Sequence, residues 1–113
     1  MPVDRTVQAR GWRSANPERR REINHESIVR VRARNRAILT LAKAGPCMDC
    51  GRSFPKECMD LDHREGEVKK RGVGLMMGVS EAMLLAEIAK CDVVCANCHR
   101  IRTNARRIAR AGL

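Results

Sequence analysis

Apolar positions along the chain recur at helical spacing in three stretches and at strand spacing in one. Residues 1–16 are polar and without periodicity, which predicts a flexible arm. Asn16-Pro17-Glu18 then opens a helix: a capping Asn, a proline at the first helical position and an acid in the first turn. The helix continues to about Ala44 on a broken apolar stripe of Ile28, Val31, Ile38, Leu41 and Ala42, and Gly45-Pro46 stops it. Its first half carries too few apolar residues to bury a face and reads as an exposed basic rod. The half from about Val31 onward packs on the domain C-terminal to it.

The remaining residues, 45–113, read as the folded domain. Glu57 to His63, apolar at Met59 and Leu61, predicts a short strand. Arg64 to Gly78 holds four glycines and the cluster Lys69-Lys70-Arg71, and reads as a loop. Ser80 caps a helix of about ten residues with Met83, Leu84, Leu85 and Ile88 inward, and Val93-Val94 makes a brief extended approach to Cys95. The last helix spans about Ala96 to Ala111, with Ile101, Ala105 and Ile108 inward and Arg100, Arg102, Arg106, Arg107 and Arg110 available for phosphates. The class is α+β.

A chain of 113 residues buries a modest core, and here Trp12 and Phe54 are the only Trp, Tyr or Phe residues, so a metal staple is physically useful. Cys47-x2-Cys50 and Cys95-x2-Cys98 supply four thiolates, a complete tetrahedral set for one structural zinc ion, with iron in the same cage as the competitor. Gly51 relieves the tight turn of the first pair. Six cysteines would make three disulfides in a secreted protein. The paired spacing, and a start Met1-Pro2-Val3-Asp4-Arg5 without an apolar signal core, favour metal ligation and a cytoplasmic location. Cys58 and Cys91 fall outside the pairs and read as small buried hydrophobes.

The net charge of +10 calls for a polyanion, nucleic acid first, because phosphate neutralisation by Lys and Arg dominates such binding. No apolar run approaches membrane-spanning length, so no membrane partner is expected.

Asp62, His63 and His99 carry the candidate chemistry. Phosphodiester hydrolysis needs an activated water and charge neutralisation at the phosphate and at the leaving oxygen. A carboxylate and an imidazole, Asp62 and His99, can hold a divalent cation with positions left for water and phosphate. A second imidazole, His63, is of the residue type that can take the proton from water at neutral pH. Strict strand alternation sets Asp62 and His63 on opposite faces, so both reach one site only where the strand ends or bulges.

The pattern Cys47-x2-Cys50, Asp62-His63, Cys95-x2-Cys98-His99 resembles the zinc-stapled HNH endonucleases of the ββα-metal superfamily. The stretch Glu87 to Arg100 looks especially like small HNH proteins of phages and bacteria. The likeness covers about residues 38–107. It implies a ββα-metal domain behind a basic helix, His63 as general base, and Asp62 and His99 as ligands of a catalytic Mg2+ or Mn2+. The family's middle Asn lies about five residues before the third cysteine, where this chain has Lys90. Asn97 is the candidate to orient His63 in its place.

The substrate expected on this reading is double-stranded or branched DNA, cut with low sequence specificity in the bacterial host cell. Arg64 and Arg100 adjoin proposed catalytic residues, Lys69 and Lys70 sit on the adjoining loop, and all four are candidate backbone contacts. Arginines of helix 17–44 add nonspecific phosphate contacts, while His25 has no assigned role. Scarce aromatic residues argue against stacking recognition of single strands or RNA loops. Two alternatives remain: a non-catalytic zinc-binding DNA module accessory to a phage or bacterial DNA-processing machine, and an RNA-associated zinc ribbon.

Overall fold

The computed structural model describes residues 4–112. In chain order these residues form helix α1 (Arg5–Ala15), helix α2 (Pro17–Ala42), strand β1 (Met59–His63), helix α3 (Glu81–Ile88), strand β2 (Cys91–Cys95) and helix α4 (Ala96–Arg110). Short 3-10 turns, Lys56–Cys58 and Val73–Leu75, precede β1 and α3. The class is α+β, with a two-stranded antiparallel sheet flanked by helices.

The expected arm is helical over Arg5–Ala15. An Asp4 carboxylate oxygen accepts from the Thr6 amide at 2.8 Å, so the first turn is capped from within. The side chains of α1 include good helix formers, and the helix forms without burying any of them. Asn16 does not cap α2 with its side chain. Its amide instead donates to the Trp12 carbonyl at 2.9 Å, at the end of α1. Residues 1–3 of the expected arm lie outside the described residues.

α2 shows the expected division. Its first half is exposed, and its second half meets the cluster around Leu84 through Ile38 and Leu39, with Asn35 fully buried beside them; Ile28 and Leu41, expected on the apolar stripe, are exposed. The Asn35 amide donates to the carbonyls of Met77 and Val79, both at 2.9 Å, which ties the loop before α3 to the helix. The apolar core is split. One cluster joins Cys47, Met59, Val94 and Cys95, and the other gathers Val73, Met76 and Leu84 with Leu61, Ile88 and Cys91. Met83 and Leu85, expected inward on α3, are exposed, since the sheet and α2 cover only the side bearing Leu84, Glu87 and Ile88.

α4 turns a different face inward from the one its aliphatic residues predict. Ile101, Ala105 and Ile108 are exposed, and the face against the sheet is Cys98, Arg102 and Arg106, one helical turn apart in each step. The sheet explains the choice: its surface under α4 carries Asp62 and Asp92, which stand opposite each other in the strand register.

Candidate metal centre

The four paired cysteines converge. Their sulfurs all lie within 4.8 Å of one another, with Cys50 Sγ and Cys95 Sγ at 4.0 Å. Four sulfurs at about 2.3 Å from a tetrahedral zinc sit about 3.8 Å apart, so this cluster is a possible metal site of zinc-compatible size. The first pair lies on a turn in which the Cys50 amide faces Cys47 Sγ at 3.5 Å, and Gly51 takes a left-handed φ of 73°. The second pair opens α4, where Cys95 accepts from the Cys98 amide at 3.4 Å.

Burial alone would push the Cys47 thiol up, but amides of Cys50, Cys95 and Asp49 outweigh it and hold it at about 6. Cys98 is pushed to about 12, chiefly by its hydrogen bond with Cys95, with burial adding to it. Sulfurs this close do not all ionise together without a cation among them. Cys91 stands apart, half-buried and raised to about 11 by burial and by the charge of Glu87. Cys58 is exposed, contrary to the burial expected of it, because it ends the 3-10 turn before the paired strand begins.

A second cluster lies beside the first. His99, in the first turn of α4, has Nδ1 at 2.9 Å from an Asp60 oxygen and Nε2 at 3.5 Å from Asp62 Oδ1. Asp62 is buried and takes both nitrogens of the Arg106 fork at 2.8 Å, plus Arg102 at 3.1 Å. Burial would raise its carboxyl, but the Arg106 and Arg102 hydrogen bonds prevail and keep it below the usual carboxylate range. His99 thus stands between two carboxylates, one facing each ring nitrogen. Asp62 and His99 are the residues of this cluster whose facing donor atoms would suit a divalent cation.

His63 is not part of that cluster. The register runs unbroken from Met59↔Cys95 to His63↔Cys91, so β1 has no bulge there and alternation holds. Asp60 and Asp62 face α4, whereas His63 turns to α3 with Nε2 at 2.8 Å from Glu87 Oε1. Glu87 is almost fully buried and also takes Lys90 Nζ at 3.1 Å and the Lys70 amide at 3.1 Å. The expected convergence of Asp62, His63 and His99 on one cation is therefore met by Asp62 and His99, with His63 on the other face. The orienting partner of His63 is Glu87. Asn97, expected in that role, is exposed in the first turn of α4.

Of the candidate phosphate contacts, Arg100 is exposed at the rim of an open groove that Asp60, His99, Thr103 and Arg107 also line. Lys69 and Lys70 are exposed. Arg64 folds back onto the carbonyls of Ala89 and Cys91 and ties down the start of β2. Arg102 and Arg106, expected to be available for phosphates, are held by Asp49, Asp62 and Asp92. Asp49 gains a guanidinium fork from Arg102 at 2.6 and 2.7 Å, which keeps its carboxyl low.

Asp60 and Glu87 were missed in the sequence. Two signals point to them: Asp60 lies two residues from Asp62 and so shares its strand face, and Glu87 interrupts an apolar helical stripe. No family model, no curated protein and no solved structure matches the chain, so the site rests on its own chemistry.

Proposed function

We propose that this chain is a zinc-stapled, metal-dependent DNA endonuclease of low sequence specificity, built as a ββα-metal unit of the HNH kind. The observation that carries the reading is His99 held between two carboxylates, with Asp60 on one ring nitrogen and Asp62 facing the other. That is the arrangement of a carboxylate–histidine–metal relay, in which the outer acid fixes the tautomer and basicity of the ligating ring. Asp62 and His99 would hold a Mg2+ or Mn2+ ion, which when bound polarises a phosphoryl oxygen and stabilises charge on the leaving oxygen. Zinc in the four-cysteine cage is structural, since four sulfurs leave no open position.

His63 is the proton acceptor in this reading. Its Nε2–H goes to Glu87, leaving Nδ1 as the basic atom, and it stands at the last paired position of β1 (opposite Cys91), where the ribbon ends. Incubation of supercoiled plasmid with Mg2+ or Mn2+ tests the whole. Wild-type protein nicks or cuts, Asp62→Ala and His99→Ala lose activity by about 100-fold or more, and His63→Ala falls by a comparable factor. Equal cleavage by wild type and Asp62→Ala would refute it.

A second reading, a non-catalytic zinc-binding DNA module, is favoured by one observation: Arg106 and Arg102 already neutralise Asp62. It expects DNA binding unchanged by Asp62→Ala and His99→Ala, and no cleavage with any divalent ion.

A further inference from the structure

The net charge of the chain is unevenly placed. Residues 4–44 carry eleven basic and four acidic side chains, against twelve and nine in residues 45–113. Of the basic residues in the second part, Arg64, Lys90, Arg102 and Arg106 are engaged by internal carboxylates. The two-helix arm is therefore the larger unspent source of positive charge, and it extends a molecule whose principal extents are 70 × 32 × 23 Å.

On α2 the arginines are not equivalent. Arg19 pairs with Glu22 at 2.9 Å, and Arg34 is tied to Asn35 and to the Val79 carbonyl. Arg21, Arg32 and Arg36 are exposed, and among the described residues none of the three has an ion pair or side-chain hydrogen bond. Separations of eleven and four residues bring them within about 60° of one another on the helix, over a length of about 22 Å. The packed side of α2, marked by Val31, Asn35 and Ile38, lies about 100° around. So the stripe is both unpartnered and accessible.

We propose that the face of α2 bearing Arg21, Arg32 and Arg36 docks on the phosphate backbone of duplex DNA, holding about six base pairs outside the groove lined by Asp60 and His99. Three guanidinium groups along one helix face complement the row of phosphates on a duplex strand. The only ring on this face is His25, and it has no Trp, Tyr or Phe side chain on which unpaired bases would stack. A membrane surface is a poorer match, because the exposed aliphatics Ile23, Ile28 and Val29 are spread around the helix instead of forming an apolar face. The inference is independent of catalysis, since it concerns binding without a divalent ion.

The test measures binding of the full chain to a 30-base-pair duplex in EDTA across a salt series. Arg21→Gln/Arg32→Gln/Arg36→Gln should lower the slope of log K against log salt by about 2 to 3. A control removing the same charge, Arg10→Gln/Arg19→Gln/Arg30→Gln, should change it by less than about 1. The corresponding triple lysine variant should keep the wild-type slope, which separates loss of contact from loss of folding. Equal effects of stripe and control variants would overturn the proposal, leaving net charge alone. So would a stripe variant that loses affinity for single-stranded RNA or anionic vesicles but keeps it for the duplex.

Discussion

Asp62 and Asp92 stand directly opposite each other in the antiparallel register, two like charges on one face of the sheet. Such a pair is repulsive by itself. Arg102 Nη1 lies 3.1 Å from Asp62 and 3.0 Å from Asp92, while its other nitrogens hold Asp49 in the first cysteine turn. One side chain thus joins both strands, α4 and the cysteine turn. Arg102→Met should lower stability by about 1–3 kcal/mol, as expected when a buried carboxylate loses a charged partner. Arg102→Lys should recover only part of it, because an ammonium cannot span three carboxylates as the planar fork does. Urea unfolding of the three proteins measures both differences.

Zinc in the sulfur cluster would make folding depend on metal. A four-thiolate zinc site contributes on the order of 10 kcal/mol, comparable with the whole stability of a small domain, and the cores around it are small. Purified protein should carry a single zinc per chain by elemental analysis. Chelation, or Cys50→Ser, should abolish the cooperative thermal transition, while the exposed Cys58→Ser keeps both metal and transition. A chelated protein that melts like the wild type would show that the cage is not the staple.

Much of this was legible in the sequence, for identifiable reasons. The cysteine spacing is local chemistry, and it correctly brought together two pairs far apart along the chain. Helix α2, strand β1 and the cap at Ser80 also come from local signals, the Ser80 hydroxyl accepting from the Met83 amide at 3.3 Å. The inward face of α4 was not legible from periodicity, because Ile101 and Ile108 are its only large aliphatics and yet lie outside. What turns that helix is the pairing of Arg102 and Arg106 with acids on another element, a relation that no single-helix pattern contains. The position of His63 was half legible: alternation predicted the opposite face, and the unbroken register upholds it. Its partner Glu87 lies 24 residues away across a glycine-rich loop, beyond the reach of spacing arguments.

Asp60 should act through His99 rather than on the substrate. Its oxygen lies 2.9 Å from His99 Nδ1, while the ring's other nitrogen faces Asp62. Asp60→Ala should weaken Mn2+ binding and metal-dependent cleavage by about 10–100-fold, the usual effect of removing an outer partner of a ligating imidazole. Asp60→Asn, which still offers an oxygen acceptor, should fall between that and wild type. Mn2+ titration followed by calorimetry gives a readout separate from activity, and unchanged affinity in Asp60→Ala would remove the relay.

Asn35 is the one fully buried polar residue of α2, and its amide joins that helix to the loop preceding α3. Asn35→Ala strips these hydrogen bonds from the Met77 and Val79 carbonyls and leaves a gap at a fully buried position, at a cost of about 1–3 kcal/mol. Asn35→Leu should be no better, since it fills the volume without supplying a donor. Hydrogen exchange of the Leu84 amide, in the helix behind this contact, should accelerate in both variants.

Glu87 gives the fold a pH dependence whose sign is fixed by its surroundings. Burial would raise its carboxyl, but hydrogen bonds from His63, Lys90 and the Lys70 amide outweigh that and bring it from an ordinary 4.5 down to about 2. A carboxyl lowered on folding means that the unfolded chain binds the proton more readily. Its stabilisation is therefore complete above about pH 4.5 and is lost as pH falls toward 2. Glu87→Gln removes the charge that both His63 and Lys90 face, so the variant should be less stable than wild type at pH 6. The gap should close on acidification, because wild-type Glu87 then becomes neutral as well. Groups that do not face Glu87, the sulfurs included, titrate alike in both proteins and cancel in the difference over the range in which both stay folded. Denaturant unfolding of wild type and Glu87→Gln from pH 6 downward measures it directly, and a gap that stays constant would mean that folding does not lower the Glu87 carboxyl.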